Sequence, residues 1–359
     1  MKVGIVTIDS RNYGNRLQNY AVQRLLEKRG CTVCTFKRDY NFCNSLSSRK
    51  VFVKTMLAAI TPKSKNVKWV TNANVVAFMK FNSQFINWDT RLYPSQIDSN
   101  YLNDEYDLIV CGSDQIWNNT FSFFSESDFV NYNLKIPKIA LSVSIGMESL
   151  DEDMQEIVKK WIPTFDSVSV REYSARDLLK PYYEKDILVC CDPTLLLSKE
   201  EWDEIVVKPG FTLDRYILLY FLGERSKAIN DFIAYVANKN KLRIIDLSTN
   251  QGCVHGIGPS EFVWYIKNAE FIFTDSFHAS IFSVIYKKRF SVYDRCGTKS
   301  NMNNRIVTLL DMLRLKSRYN ILSYDVLESE IEYEEVEKQI MKEQEKMNEF
   351  INNVLKNLH

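Results

Sequence analysis

Short apolar runs recur along this chain, and each ends on a glycine or a knot of polar residues. Val3–Ile8, Tyr106–Gly112, Lys138–Ile145, Tyr216–Leu222 and Phe271–Phe273 are of this kind. A strand solvated on one face alternates apolar and polar residues; a continuous apolar run suits a strand covered on both faces, as in a parallel sheet. Helical patterns lie between the runs. After Val3–Ile8 comes a polar loop with one glycine, then an apolar stripe of Leu17, Tyr20, Ala21, Leu25 and Leu26 at helical spacing. The pattern predicts an α/β fold with parallel sheets.

At 359 residues the chain exceeds what one core usually organises. Asp192-Pro193 interrupts the series as a turn signal, and a second series begins at Tyr216. The expected division is a Rossmann-like N-terminal domain over 1–192, with an insertion at about 39–100, and a second Rossmann-like domain over 193–326. A long amphipathic helix is expected over 327–359, where Val336, Ile340, Met347, Ile351 and Leu355 recur at helical spacing. It would pack back across the domains or meet a coiled-coil partner.

With 46 basic and 45 acidic residues there is no excess cation to neutralise nucleic-acid phosphates. No run reaches the length of a membrane span, and Met1-Lys2 leads straight into the first strand rather than a secretory leader. Eight cysteines then read as free thiols in a reducing compartment, so a cytoplasmic protein is expected. Cys31-Thr-Val-Cys34 opens a strand, which sends its thiols to opposite faces, and Cys253-Val-His255 has no further ligand near in sequence; no metal is expected. Basic residues between Tyr40 and Lys68 form a solvated face, or touch an acidic substrate or a membrane-linked acceptor at the inner face of the membrane.

In open α/β sheets ligands bind at the carboxyl ends of strands, and the polar residues there are the site candidates. The first loop lacks the G-x-G-x-x-G of dinucleotide sites. Its Asn12, Asn15 and Arg16 suit an anionic or sugar-like ligand, or a solvated loop. Ser113-Asp114-Gln115 after the Tyr106 run suits sugar hydroxyls, where Asp accepts and Gln does both; the other reading is a helix cap at Ser113 or Asp114. Arg171 closes another strand as a clamp for carboxylate or phosphate, or pairs with Glu172 or Asp177. Ser276 and His278 fall where the Phe271 strand gives way to a helix. Of the three histidines, His359 is terminal and His255 lies in a Gly-rich loop; His278 is placed like an active-site group, or caps its own helix. Arg305 opens a helix, against the macrodipole preference for acids there, which favours a bound anion.

Taken together, Asn12–Ala21, Tyr106–Asn118, Ser169–Ser174, Cys191–Leu195, Thr274–Ala279 and Asn304–Ile306 resemble, in order, the polysaccharide pyruvyl transferase family. The resemblance implies a two-domain fold similar to GT-B glycosyltransferases. It also implies an enzyme of bacterial capsule or exopolysaccharide biosynthesis that transfers the enolpyruvyl carbons of phosphoenolpyruvate onto two hydroxyls of a sugar. The products are a pyruvate ketal and inorganic phosphate, and the acceptor is a sugar or a lipid-linked oligosaccharide. His278 matches the family's histidine, and Arg171 an arginine that helps hold phosphoenolpyruvate. Ser276 stands where some members carry arginine, and Arg305 or Arg295 would supply that cation. Asn12, Asn15, Arg16, Ser113, Asp114 and Gln115 would then face the acceptor. The scheme needs no cofactor. Two other readings of the same residues are a GT-B-like glycosyltransferase using a nucleotide sugar and a non-catalytic sugar- or anion-binding relative.

Overall fold

The computed structural model describes residues 1–40, 65–248, 254, 256–296 and 303–356, with backbone alone for 65–72. Most of the basic stretch after Tyr40, together with Cys253, His255 and His359, lies outside the described residues. The chain divides into two compact units. The first takes Met1–Lys63, Asn82–Leu196 and Glu343–His359, and the second Ser64–Phe81 and Leu197–Lys342. The junction thus falls at Leu196, just past the Asp192-Pro193 turn.

The first unit is built on a parallel sheet. Its strands are β1 (Lys2–Val6), β2 (Thr32–Arg38), β3 (Trp88–Tyr93), β4 (Leu108–Asp114), β5 (Lys138–Val143), β6 (Ser167–Val170) and β7 (Ile187–Val189). Their spatial order is β3-β2-β1-β4-β5-β6-β7. Val3, Ile5 and Leu108 to Val110 are fully buried, which is why both central strands read as unbroken apolar runs. Helix α1 (Tyr13–Glu27) starts earlier than its apolar stripe implies, because Asn12 caps it: the Asn12 side chain accepts from the amides of Gly14 and Asn15. Strand β3 was hidden from pattern reading, since WDTRLY is mostly half-exposed. Between β1 and β4 the chain order reverses, and such a reversal opens a crevice at the strands' carboxyl ends.

The second unit repeats the plan with β8 (Tyr216–Tyr220), β9 (Arg243–Asp246), β10 (Phe271–Thr274) and β11 (Arg289–Val292), in the parallel order β11-β10-β8-β9. Here the reversal lies between β8 and β10. Of its helices, one (Phe277–Ile285) follows β10 and another (Asn304–Met312) carries Arg305. The long helix at the end of the chain spans Tyr333–Lys356, later in starting than the composition shift at Leu327. Among the described residues, no helix is long and apolar enough to cross a membrane.

Candidate functional site

Each unit gathers polar side chains at its own reversal point. In the first, β4 runs on through Gly112 and Ser113 to Asp114, so neither Ser113 nor Asp114 caps a helix. Gly112 has φ +112, and a Cβ there would sit 2.7 Å from Leu141 O; this close approach needs glycine. The turn beyond is pinned by Trp117, whose ring stacks on Phe129 at 4.7 Å and whose Nε1 donates to Asp128 O. Ser113 Oγ donates to Ser142 O at 2.8 Å, and its amide donates to Gln18 Oε1. Gln115 accepts from Asn118 Nδ2.

Asp114 is held on two sides. Asn15 Nδ2, from the first turn of α1, and Arg171 Nη2, from the end of β6, both donate to it. Arg171 Nη1 donates to Asp192 Oδ2 at 2.5 Å. Arg171 therefore pairs with Asp114 and Asp192 rather than with Glu172 or Asp177; Asp177 instead pairs with Arg176. Burial alone depresses the Arg171 guanidinium, but the carboxylates of Asp114, Asp192 and Glu172 outweigh it and raise its pKa. Glu172 is fully buried, and its Oε1 accepts from Ser144 Oγ, Ile145 N and Gly146 N.

Asn15 and Arg16 fall inside the first turn of α1 and are 7 % and 0 % exposed, whereas the loop residues Asp9 to Asn12 before them are half-buried or exposed. The structure brings Asn15, Ser113, Asp114 and Arg171 together, with Asn12 holding the helix start. The donor residues expected from the sequence divide: Arg171 belongs to the first unit, while Ser276, His278, Arg295 and Arg305 belong to the second.

In the second unit, Ser276 and not His278 caps the helix Phe277–Ile285, accepting from Ala279 N. The Ser276 hydroxyl is thereby committed to the backbone, and His278 stands at the second helical position, where it is 6 % exposed. The His278 ring meets the edge of Phe277 at 5.4 Å, and the Arg305 guanidinium lies over the same Phe277 ring at 5.8 Å. One aromatic side chain thus connects the imidazole to a cation.

Asp275 organises this turn, and pattern reading gave it no role. Its carboxylate accepts from Leu222 N and Gly223 N, both at 2.7 Å, tying the end of β10 to the end of β8. Arg295 Nη2 donates to Asp275 O at 3.1 Å, and Nε lies 3.5 Å from Asp275 Oδ2. Asp192 was missed for a related reason: in a turn dipeptide its carboxylate reads as local, yet it accepts from both Thr194 and Arg171. The available signal was an acid directly after an apolar strand in each case. Among the described residues no group of three or more His, Cys, Asp or Glu side chains is arranged to hold a metal ion.

A family model for polysaccharide pyruvyl transferase matches residues 12–297. No curated protein sequence matches the chain. Solved structures similar to it include the UDP-GlcNAc 2-epimerase of Methanocaldococcus jannaschii in complex with UDP-GlcNAc and UDP, at 16 % identity over 99 % of this chain and 100 % of that one, with a TM-score of 0.45. A putative UDP-N-acetylglucosamine 2-epimerase from Listeria monocytogenes is 10 % identical over 97 % and 90 % of the two chains, with a TM-score of 0.49. The Neisseria meningitidis UDP-GlcNAc 2-epimerase bound to UDP-GlcNAc is 13 % identical over 99 % and 100 %, with a TM-score of 0.47.

Proposed function

The chain belongs to the polysaccharide pyruvyl transferase family, and we propose that it transfers the enolpyruvyl carbons of phosphoenolpyruvate onto two hydroxyls of a sugar, forming a pyruvate ketal. The reading rests above all on the grouping of His278, Arg305 and Arg295 about the turn that follows β10. Phosphoenolpyruvate presents a phosphate and a carboxylate, and guanidinium groups bind such oxyanions through charge-assisted hydrogen bonds. A helix N-terminus adds to that attraction, and the helix that begins at Phe277 has no acid in its first turn.

The reaction needs a proton delivered to the methylene carbon as the first sugar hydroxyl adds to the adjacent carbon. Phosphate then leaves, and the second hydroxyl closes the ketal ring. Of the two hydroxyl protons lost, one is balanced by the new methyl group and one by the released hydrogen phosphate. His278 is the proton donor in this scheme: imidazole is the side chain that titrates nearest neutrality, and a positioned acid contributes about 10²–10⁴-fold. Arg295 and Arg305 hold the donor's oxyanions. In the first unit, Asn15, Ser113, Asp114 and Gln115 serve acceptor hydroxyls, with Arg171 keeping Asp114 in place.

The test is to incubate the full chain with phosphoenolpyruvate and a panel of galactose-, mannose- and glucose-type acceptors, reading phosphate release and locating the ketal by mass and NMR. Phosphate release with a ketal product is expected. No release with any acceptor, alongside turnover of a nucleotide sugar, would sink the proposal.

A further inference from the structure

Arg16 stands apart from the other buried arginines of the first unit. Arg38 is buried against Asp128, and Arg171 against Asp114 and Asp192. Arg16 is equally buried, at 0 % exposed, yet it forms no ion pair among the described residues. Its Nη2 donates to the backbone carbonyl of Ile8, while the N–H groups of Nε and Nη1 have no hydrogen-bond partner among the described residues. Its Cζ lies 5.4 Å from the centroid of the Trp88 ring, within the range of a cation–π contact.

The surroundings favour an anion. Arg16 lies in the first turn of α1, which contains no acidic residue, at the positive end of the helix dipole. It also lies where β1 ends, beside the reversal between β1 and β4. The nearby carboxylate of Asp9 already accepts from Arg38 N and the Tyr40 hydroxyl. Burial depresses the Arg16 pKa, and Asp9 and Tyr40 only partly restore it, the opposite outcome to Arg171. A buried guanidinium with unmet donors is costly, because desolvation of the charge is not repaid by hydrogen bonds. The residues of the adjoining loop from Asp9 to Asn12 are half-buried or exposed, so the guanidinium adjoins a surface loop.

We propose that Arg16 receives an oxyanion carried by the acceptor, which makes the acceptor a phosphorylated or acidic sugar rather than a neutral one. The inference rests on the reading of this unit as the acceptor side. Neutral hydroxyls would be served by the Asn15–Asp114 cluster, and a guanidinium with unmet N–H groups makes charge-assisted hydrogen bonds to phosphate or carboxylate oxygens.

Direct binding to the full chain tests this, with three probes that differ at one position: a hexose, its 1-phosphate and the corresponding hexuronate. Wild-type protein is expected to bind the hexose 1-phosphate or the hexuronate about ten- to a hundredfold more tightly than the hexose, the range for a charged hydrogen-bonding contact; the stronger of the two identifies the oxyanion. R16Q should abolish that preference while leaving phosphoenolpyruvate binding intact, and H278Q should keep it. If R16Q does not fold, R16K decides: an ammonium lacks the fork, and the preference should fall by about tenfold. Equal binding of all three probes by wild-type protein overturns the proposal, as does an undiminished preference in whichever variant folds. Loss of phosphoenolpyruvate binding in R16Q would also overturn it by making Arg16 a donor residue. If wild-type protein fails to turn over phosphoenolpyruvate with any acceptor yet keeps an Arg16-dependent preference, the ketal-forming reading falls and the oxyanion site stands.

Discussion

Arg171 and Asp114 form an ion pair that water scarcely reaches, their side chains being 0 % and 7 % exposed. Asp192, also 0 % exposed, takes the other guanidinium nitrogen. Removing the guanidinium leaves two buried carboxylates without their counter-charge, at a cost of about 3–5 kcal/mol. R171A is expected to lose stability on that scale in urea denaturation. Phosphoenolpyruvate affinity of R171K, measured alongside its stability, reads any direct donor contact. Affinity lost by tenfold or more with stability unchanged would mean that the guanidinium leaves its aspartates to grip the donor.

Replacing His278 by glutamine removes the proton donor while keeping a polar side chain of similar reach. The H278Q variant should lose about 10²–10⁴-fold in kcat, with its melting temperature close to that of the wild type, because Ser276 and not His278 caps the helix. Steady-state kinetics with phosphoenolpyruvate as the varied substrate checks this. Unchanged turnover would remove His278 from the mechanism.

The buried strands and their polar ends were legible because burial on both faces leaves a continuous apolar signature, as in Leu108 to Cys111. What could not be read is how a side chain is committed. Ser276 and His278 stand two residues apart, and sequence does not say which oxygen or nitrogen meets a helix amide. Arg171 has acids beside it at Glu172 and Asp177, yet its partners come from β4 and from the turn at Asp192, 57 and 21 residues away. Asp275 escaped notice because its partners, Leu222 and Gly223, lie 53 and 52 residues upstream. Strand β3 escaped because an edge strand need not be apolar.

Gly223 is a sharp point of leverage on the donor side. A Cβ there would lie 2.4 Å from Cys296 O and 2.8 Å from Arg295 Cγ. G223A should cost about 1–3 kcal/mol as overpacking and displace Arg295 from Asp275, raising the KM for phosphoenolpyruvate more than it lowers kcat. G210A is the control: nothing lies within 4 Å of a Cβ at Gly210, so neither stability nor KM should suffer. A G223A enzyme with wild-type KM would show that the position of Arg295 does not matter to the donor.

Lys138 supplies a pH test that is independent of catalysis. It is 3 % exposed, its Nζ donates to Val130 O at 2.8 Å and Phe129 O at 3.3 Å, and it lies 4.7 Å from the Phe165 ring centroid. Burial lowers its pKa from 10.5 to about 8, against smaller opposing effects of Cys111 and Asp166. Below pH 8 both folded and unfolded chains carry the proton, and the folded state bears the full cost of the buried charge. Between about 8 and 10.5 the unfolded chain binds more protons than the folded one, so this residue's contribution to stability rises with pH. Integrated across that window the gain is on the order of 3 kcal/mol. K138M keeps an apolar stem against Phe165 and has no proton to lose. Urea denaturation of both proteins at pH 7, 8, 9 and 10 should show the wild type gaining on K138M as pH rises, because tyrosine and cysteine ionisations are common to both and cancel. A difference that stays flat across the series would mean that the Lys138 ammonium is solvated rather than buried.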